Sequence, residues 1–135
     1  MNTMPIPQST RLFTTIAGIF GLFGVAIGAF GAHALKSMLT PDRQAIFETG
    51  VQYHLIHTLA ILAVAILTGN LGDIKSLRNA GWFFTAGILL FSGSLYALAI
   101  TGIKILGAIT PIGGICFMVG WSGLIAAARA KAPAQ

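Results

Sequence analysis

The chain has 135 residues, of which 56% are hydrophobic and only 8% charged, against a charged share of about 25% in soluble domains. That composition marks a polytopic membrane protein of one domain and excludes a separate soluble module. The formal charge of +5 does not mark a nucleic-acid partner, because the basic residues stand singly at the ends of apolar runs, where membrane topology accounts for them.

Residues 1–10, with two prolines and no periodicity, read as a disordered N-terminal tail, and residues 130–135 as a short C-terminal one. Between them, 11–129 form a single membrane domain with four apolar runs, at about 12–35, 53–71, 79–103 and 105–128. Each is long enough to cross a hydrocarbon core about 30 Å thick, so the expected fold is all-α, a four-transmembrane-helix bundle. The first run follows Arg11 and ends in Ala32-His33-Ala34, which has the form of a signal cleavage site. It is too long for a signal peptide, whose apolar region spans about 7–15 residues.

An even number of crossings puts both termini on one side. That side holds Arg11, Lys75, Arg78, Arg129 and Lys131 against Lys36, Arg43 and Lys104 on the other, which favours both termini in the cytoplasm.

In the first run, Ala17, Gly21, Gly24, Gly28 and Gly31 recur at spacings of four and three, a narrow stripe that admits close helix approach. Gly113, Cys116, Gly120, Gly123 and Ala127 repeat the pattern in the fourth. The two stripes are expected to pair helix one with helix four, or one chain with another.

The connection between the first two runs is the long one. Thr40 suits an N-cap, Pro41 the first helical position and Asp42 the helix N-terminus. A helix is expected to start there and continue into the second crossing. Its opening turns would form a short amphipathic segment, with Asp42, Arg43, Gln44 and Glu48 facing water. The stretch Gly69-Asn70-Leu71-Gly72-Asp73 reads as a turn. Thr101-Gly102-Ile103-Lys104 is short enough to make helices three and four a tight hairpin. Pro111, followed by Gly113-Gly114, is expected to kink helix four after its first turn or two.

With these helix directions, His33 is expected near the outer end of helix one, His54 and His57 in the outer turns of helix two, and Ser92, Ser94, Tyr96 and Thr110 in the same half of the bundle, away from the termini. The other half is almost wholly apolar. His54 and His57 share a helix face, a spacing compatible with a metal ion, with Glu48 or His33 as a third ligand. The alternative is that His54 points to the interface and His57 hydrogen-bonds a serine or Tyr96 across the bundle. A Ser92 or Ser94 dyad with His57 lacks a nucleophile motif. A proton-coupled exporter would need a carboxylate within a membrane run, and none is present. Trp82 and Trp121 read as interface anchors.

Taken together, Gly28-Ala29-Phe30-Gly31-Ala32-His33, Thr49-Gly50 with Tyr53, His57-Thr58-Leu59-Ala60, Leu90-Phe91-Ser92-Gly93-Ser94-Leu95-Tyr96, and Thr110-Pro111 with Gly113-Gly114 and Gly120-Trp121 are familiar. In that order they resemble the YgdD/YwdK-like small membrane proteins, a domain of unknown function with mitochondrial relatives, from about Phe13 to Ala128. The resemblance implies a four-helix inner-membrane protein and no particular activity. It also implies that His33 and His57 fall on histidines of the family pattern and His54 on a glutamine position, which points to His33 with His57 as the pair.

Two functions follow as expectations. The first is a non-catalytic structural or accessory component, packing with itself or with a larger membrane complex. The second is a binding site for a metal, haem, quinone or lipid, built from His33, His57, Ser92, Ser94, Tyr96 and Thr110 in the leaflet away from the termini. No cofactor is specified by the sequence.

Overall fold

The computed structural model describes residues 5–131, so the ends of both expected tails, 1–4 and 132–135, lie outside the described residues. Four helices are long and apolar enough to span a membrane: α1 (Gln8–His33), α2 (Pro41–Leu71), α3 (Lys75–Thr101) and α4 (Lys104–Arg129). The expected all-helical four-span bundle is what the chain forms. α1 already begins at Gln8, within the stretch assigned to the tail.

α2 and α3 are the inner pair, and α1 and α4 occupy the outer corners with most of their surface turned outward. α1 packs chiefly on α2 and α4 on α3. The main core joins Phe13, Ile61, Val64, Leu77, Phe84 and Phe117, all nearly or fully buried. Outward-facing Leu22, Val25, Leu59 and Met118 are more than 60% exposed, which suits a surface solvated by lipid rather than water.

The glycine stripes do not meet each other, contrary to the sequence expectation. In α1, Gly31 receives the ring of Phe47, Gly28 faces Val51, Gly24 faces Leu55 and His54, and Gly21 faces Thr58, all on α2. In α4, Gly113 lies against the backbone of Phe91, Gly120 against the ring of Phe84 and Gly123 against Ala80, all on α3. The cause is that the tightest notches are filled by large residues of the sequence-adjacent antiparallel helix, Phe47 and Leu55 for α1, Phe91 and Phe84 for α4. Two small-residue faces would have left those phenylalanines without a socket.

Helix ends follow local chemistry. The Thr40 side chain accepts from the Arg43 backbone N–H, with Pro41 in the first turn, as expected. Gly72 and Gly102 end α2 and α3 at positive φ of 90° and 73°, conformations that a Cβ would strain. Arg43 and Gln44 do not simply face water. Arg43 Nε donates to the Ala99 carbonyl at 2.6 Å and its guanidinium also bonds the Ile100 carbonyl. Gln44 Nε2 donates to the Gly31 carbonyl at 3.1 Å. The opening turn of α2 thus supplies caps for the orphan carbonyls of both α1 and α3. Asp42 and Glu48 remain exposed.

Two irregular segments follow. Within α3, Ile88–Ser92 form one π-helical turn. In α4, Lys104–Ala108 are 3-10 helical and the α-helical part starts at Thr110. Pro111 therefore stands at the start of a regular helix instead of kinking one, a position where its missing N–H costs no intrahelical bond.

The glycine notches give a first test. A methyl at Gly113 would stand 2.7 Å from Phe91 Cα and one at Gly120 would stand 2.6 Å from two Phe84 ring carbons, whereas one at Gly18 meets nothing within 4 Å. Gly113→Ala and Gly120→Ala are expected to destabilise the bundle by about 1–3 kcal/mol, with Gly18→Ala close to neutral. Thermal unfolding of the three variants in one mild detergent checks this order.

Candidate functional site

The two histidines of α2 lie near mid-depth, not in its outer turns. α1 crosses the whole bundle, and the carbonyl near its midpoint, that of Phe20, is within 2.9 Å of His54 Nε2. His57 is one turn further on. A carbonyl only accepts, so His54 Nε2 carries the proton and donates to Phe20, leaving Nδ1 to accept from the Tyr96 hydroxyl at 2.9 Å. His57 has the opposite tautomer. Its Nδ1 donates to the Tyr53 carbonyl at 2.8 Å, and its Nε2 accepts from the Trp121 indole N–H at 3.1 Å.

Each ring thus fixes a different interface. His54 joins α2 to α1 and to Tyr96 on α3. Gly24 makes this reach possible, since it stands four residues after Phe20 and a Cβ there would lie 3.3 Å from His54 Nε2. His57 joins α2 to α4, stacked on Phe117 with centroids 3.5 Å apart and planes 10° apart. Phe84 of α3 and Trp121 complete the aromatic surround. The exchange of roles is a correction: His54, not His57, bonds Tyr96, and Trp121 is a bonding partner rather than an interface anchor. Trp82 packs edge-on against Phe13 at 5.7 Å.

The remaining candidates are also engaged. Ser92 donates to the Gly50 carbonyl at 2.7 Å, and Ser94 and Thr110 share a 2.7 Å hydrogen bond between α3 and α4. In the other half of the bundle Thr68 bonds Val64 and Thr85 bonds Gly81 within their own helices, whereas the hydroxyls of Thr10 and Ser76 are buried without a partner among the described residues. His33 stands apart. It is exposed at the end of α1, and since Gly31 faces Phe47, it lies level with the first turns of α2, about 18 Å along the axis from His57. The structure does not bring His33 and His57 together. Among the described residues, no three of His, Cys, Asp and Glu converge as a metal set, and the lone pairs of His54 Nδ1 and His57 Nε2 are both occupied by hydrogen bonds.

Beside His57, a lateral groove of about 600 Å³ opens between α2, α3 and α4. Tyr53, Phe91, Phe117, Met118 and Trp121 form its walls, with Pro111 at one edge. From sequence, Tyr53 stands out only as part of the Thr49-Gly50 motif. Its ring packs on Phe91 at 4.4 Å between centroids, and spacing from His57 by one helical turn was the available signal.

These features define a class: a small multi-pass membrane protein whose bundle is fastened at mid-depth by two histidines of fixed tautomer. The chain belongs to the family described as Protein of unknown function (DUF423), whose model matches residues 27–114. It is 46% identical over 118 residues to the UPF0382 membrane protein YwdK of Bacillus subtilis, covering 87% of this chain and 96% of that protein. It is 42% identical over 112 residues to a UPF0382 membrane protein of Haemophilus influenzae, covering 83% and 89%. A UPF0382 membrane protein of Staphylococcus aureus, SAB0533, is 40% identical over 117 residues, covering 87% and 94%. No solved structure matches the chain.

Tyr96→Phe and Trp121→Phe each remove one interhelical hydrogen bond while keeping a ring. Each is expected to cost about 0.6 kcal/mol, and at most about 1.7 kcal/mol, the range for such bonds in membrane bundles. Gly24→Ala displaces both Leu55 and His54 and is expected to cost more. Combined with Tyr96→Phe it should fall short of additivity, because both act through His54. Unfolding measurements on the two single variants and the pair in detergent test this.

Proposed function

We propose that the protein is a non-catalytic accessory component of the bacterial plasma (inner) membrane, with both termini in the cytoplasm, that packs with itself or with a larger membrane complex. One observation carries the reading. The six side chains expected to carry chemistry that lie inside the bundle with His54 and His57, namely these two with Ser92, Ser94, Tyr96 and Thr110, are engaged with other groups of the same chain. No free base faces a free nucleophile among them. The orientation rests on the five-to-three distribution of Lys and Arg between the two ends. That the bacterial relatives are membrane proteins supports a membrane location.

Since the tightest glycine notches are filled from within, the surface most available to a partner is the outward side of α1 and α4, the spans least buried within the bundle. Crosslinking on intact membranes, followed by purification in mild detergent, is expected to yield the chain with a second copy or another membrane protein. A monomer under every such condition contradicts the accessory role. A C-terminal fluorescent-protein fusion should fluoresce, as cytoplasmic fusions do, and a dark fusion reverses the orientation.

A second reading, ligand binding, draws on the groove beside His57. Its aromatic walls and the Tyr53 hydroxyl, which has no hydrogen-bond partner among the described residues, suit a flat apolar molecule such as a quinone, or a lipid chain. Of the pair expected from sequence, this reading keeps His57 and leaves out His33. Solvent extraction and absorbance of the purified protein test it: an extractable species lost in Trp121→Ala supports it, and none in the wild type opposes it.

A further inference from the structure

We propose that the end of the bundle opposite the termini carries a site for one anionic phospholipid headgroup, held between Arg43 and Lys104. The inference is independent of the accessory reading. A recess of about 300 Å³ lies where α3 ends and α4 begins, lined by Arg43, Ile46, Leu98, Gly102 and Lys104. Two of these residues are cationic, none is acidic, and the apolar pair lies on the α2 and α3 sides. The recess sits at the level where the third span stops, which is headgroup depth.

Arg43 is a fixed cation, not a waving one. Its Nε and one terminal nitrogen are tied to the Ala99 and Ile100 carbonyls, which holds the guanidinium plane over Gly102. A methyl at Gly102 would lie 3.6 Å from the guanidinium carbon. Five N–H groups are available to an arginine and two are spent, so the others remain for a ligand. Lys104 brings three more donors from the other side of the turn and makes no ion pair among the described residues. The single ion pair there, Arg78 with Asp73, lies at the opposite end. On α2, Asp42 and Glu48 are exposed, and Glu48 already accepts from Gln44.

A phosphodiester monoanion matches this arrangement. Its oxygens meet the guanidinium edge and the ammonium, and its first acyl methylenes run along Ile46 and Leu98. Membrane-embedded cations near the surface favour anionic over zwitterionic lipid for the same Coulombic reason. The lipid is the occupant proposed, because the apolar lining would add nothing for a free phosphate.

Native mass spectrometry of the full chain, released from micelles containing equal amounts of phosphatidylglycerol and phosphatidylcholine, tests the site. The wild type is expected to retain one phosphatidylglycerol in preference to phosphatidylcholine. Lys104→Ala, an exposed position that bears no cap, should reduce that preference about fivefold. Lys104→Arg and the remote Lys75→Ala should keep it. Equal retention of both lipids by the wild type, an undiminished preference in Lys104→Ala, or the same loss in Lys75→Ala would overturn the proposal. So would displacement of the lipid by an equal concentration of glycerol 3-phosphate, which would make the acyl contacts irrelevant.

Discussion

Within hydrocarbon, a polar group has no water to turn to, and the bundle is arranged around that constraint. Two imidazoles stand at mid-depth on α2, each with one donor and one acceptor to satisfy. Their partners come from every other helix: the Phe20 carbonyl of α1, the Tyr96 hydroxyl of α3 and the Trp121 indole of α4. Satisfying the histidines therefore sets the depth of three helices relative to the fourth. A shift of α1 along its axis by a fraction of a turn would break the bond from His54 Nε2 to the Phe20 carbonyl.

Packing enforces the same register by a different route. Among apolar side chains in lipid there is little hydrophobic force to bring helices together, so fit has to supply it. Here phenylalanine rings enter glycine notches: Phe47 at Gly31, Phe13 at Gly81, Phe117 at Gly87 and Phe84 at Gly120. The rings belong to different helices from their notches, so each pair records the height of one helix against another. Gly24 serves both systems, since the same missing methyl admits Leu55 and lets His54 reach a carbonyl that a side chain would have shielded.

The four spans were legible because hydropathy and length are properties of a single segment. So was the start of α2, because Thr40, Pro41 and Asp42 are local signals. What the sequence left open depends on pairs. A stripe of small residues says that something approaches closely, but not what, and the matching phenylalanines at corresponding heights on the neighbouring helix were the overlooked sign. The partners of His54 and His57 follow from rotation and height of three other helices, which no spacing within α2 encodes. The resemblance pairs His33 with His57, yet antiparallel pairing of α1 with α2 necessarily carries the last residue of one towards the first of the other. Arg43 read as a solvated charge because the carbonyls it caps are more than fifty residues away.

The π turn of α3 bears on how this bundle can change over time. A π turn holds one residue more than an α-helix needs, so it rotates everything beyond it by about 100° relative to an uninterrupted helix. Phe84 and Gly87 precede the turn and serve the notches and rings of α4, whereas Ser92, Ser94 and Tyr96 stand at its end or follow it and serve Gly50, Thr110 and His54. The two halves of α3 are thereby phased separately. A one-residue deletion within Ile88–Ser92 would restore a regular helix while throwing one half out of phase with its neighbours, so the length of this segment is under tighter constraint than most of the residue types within it.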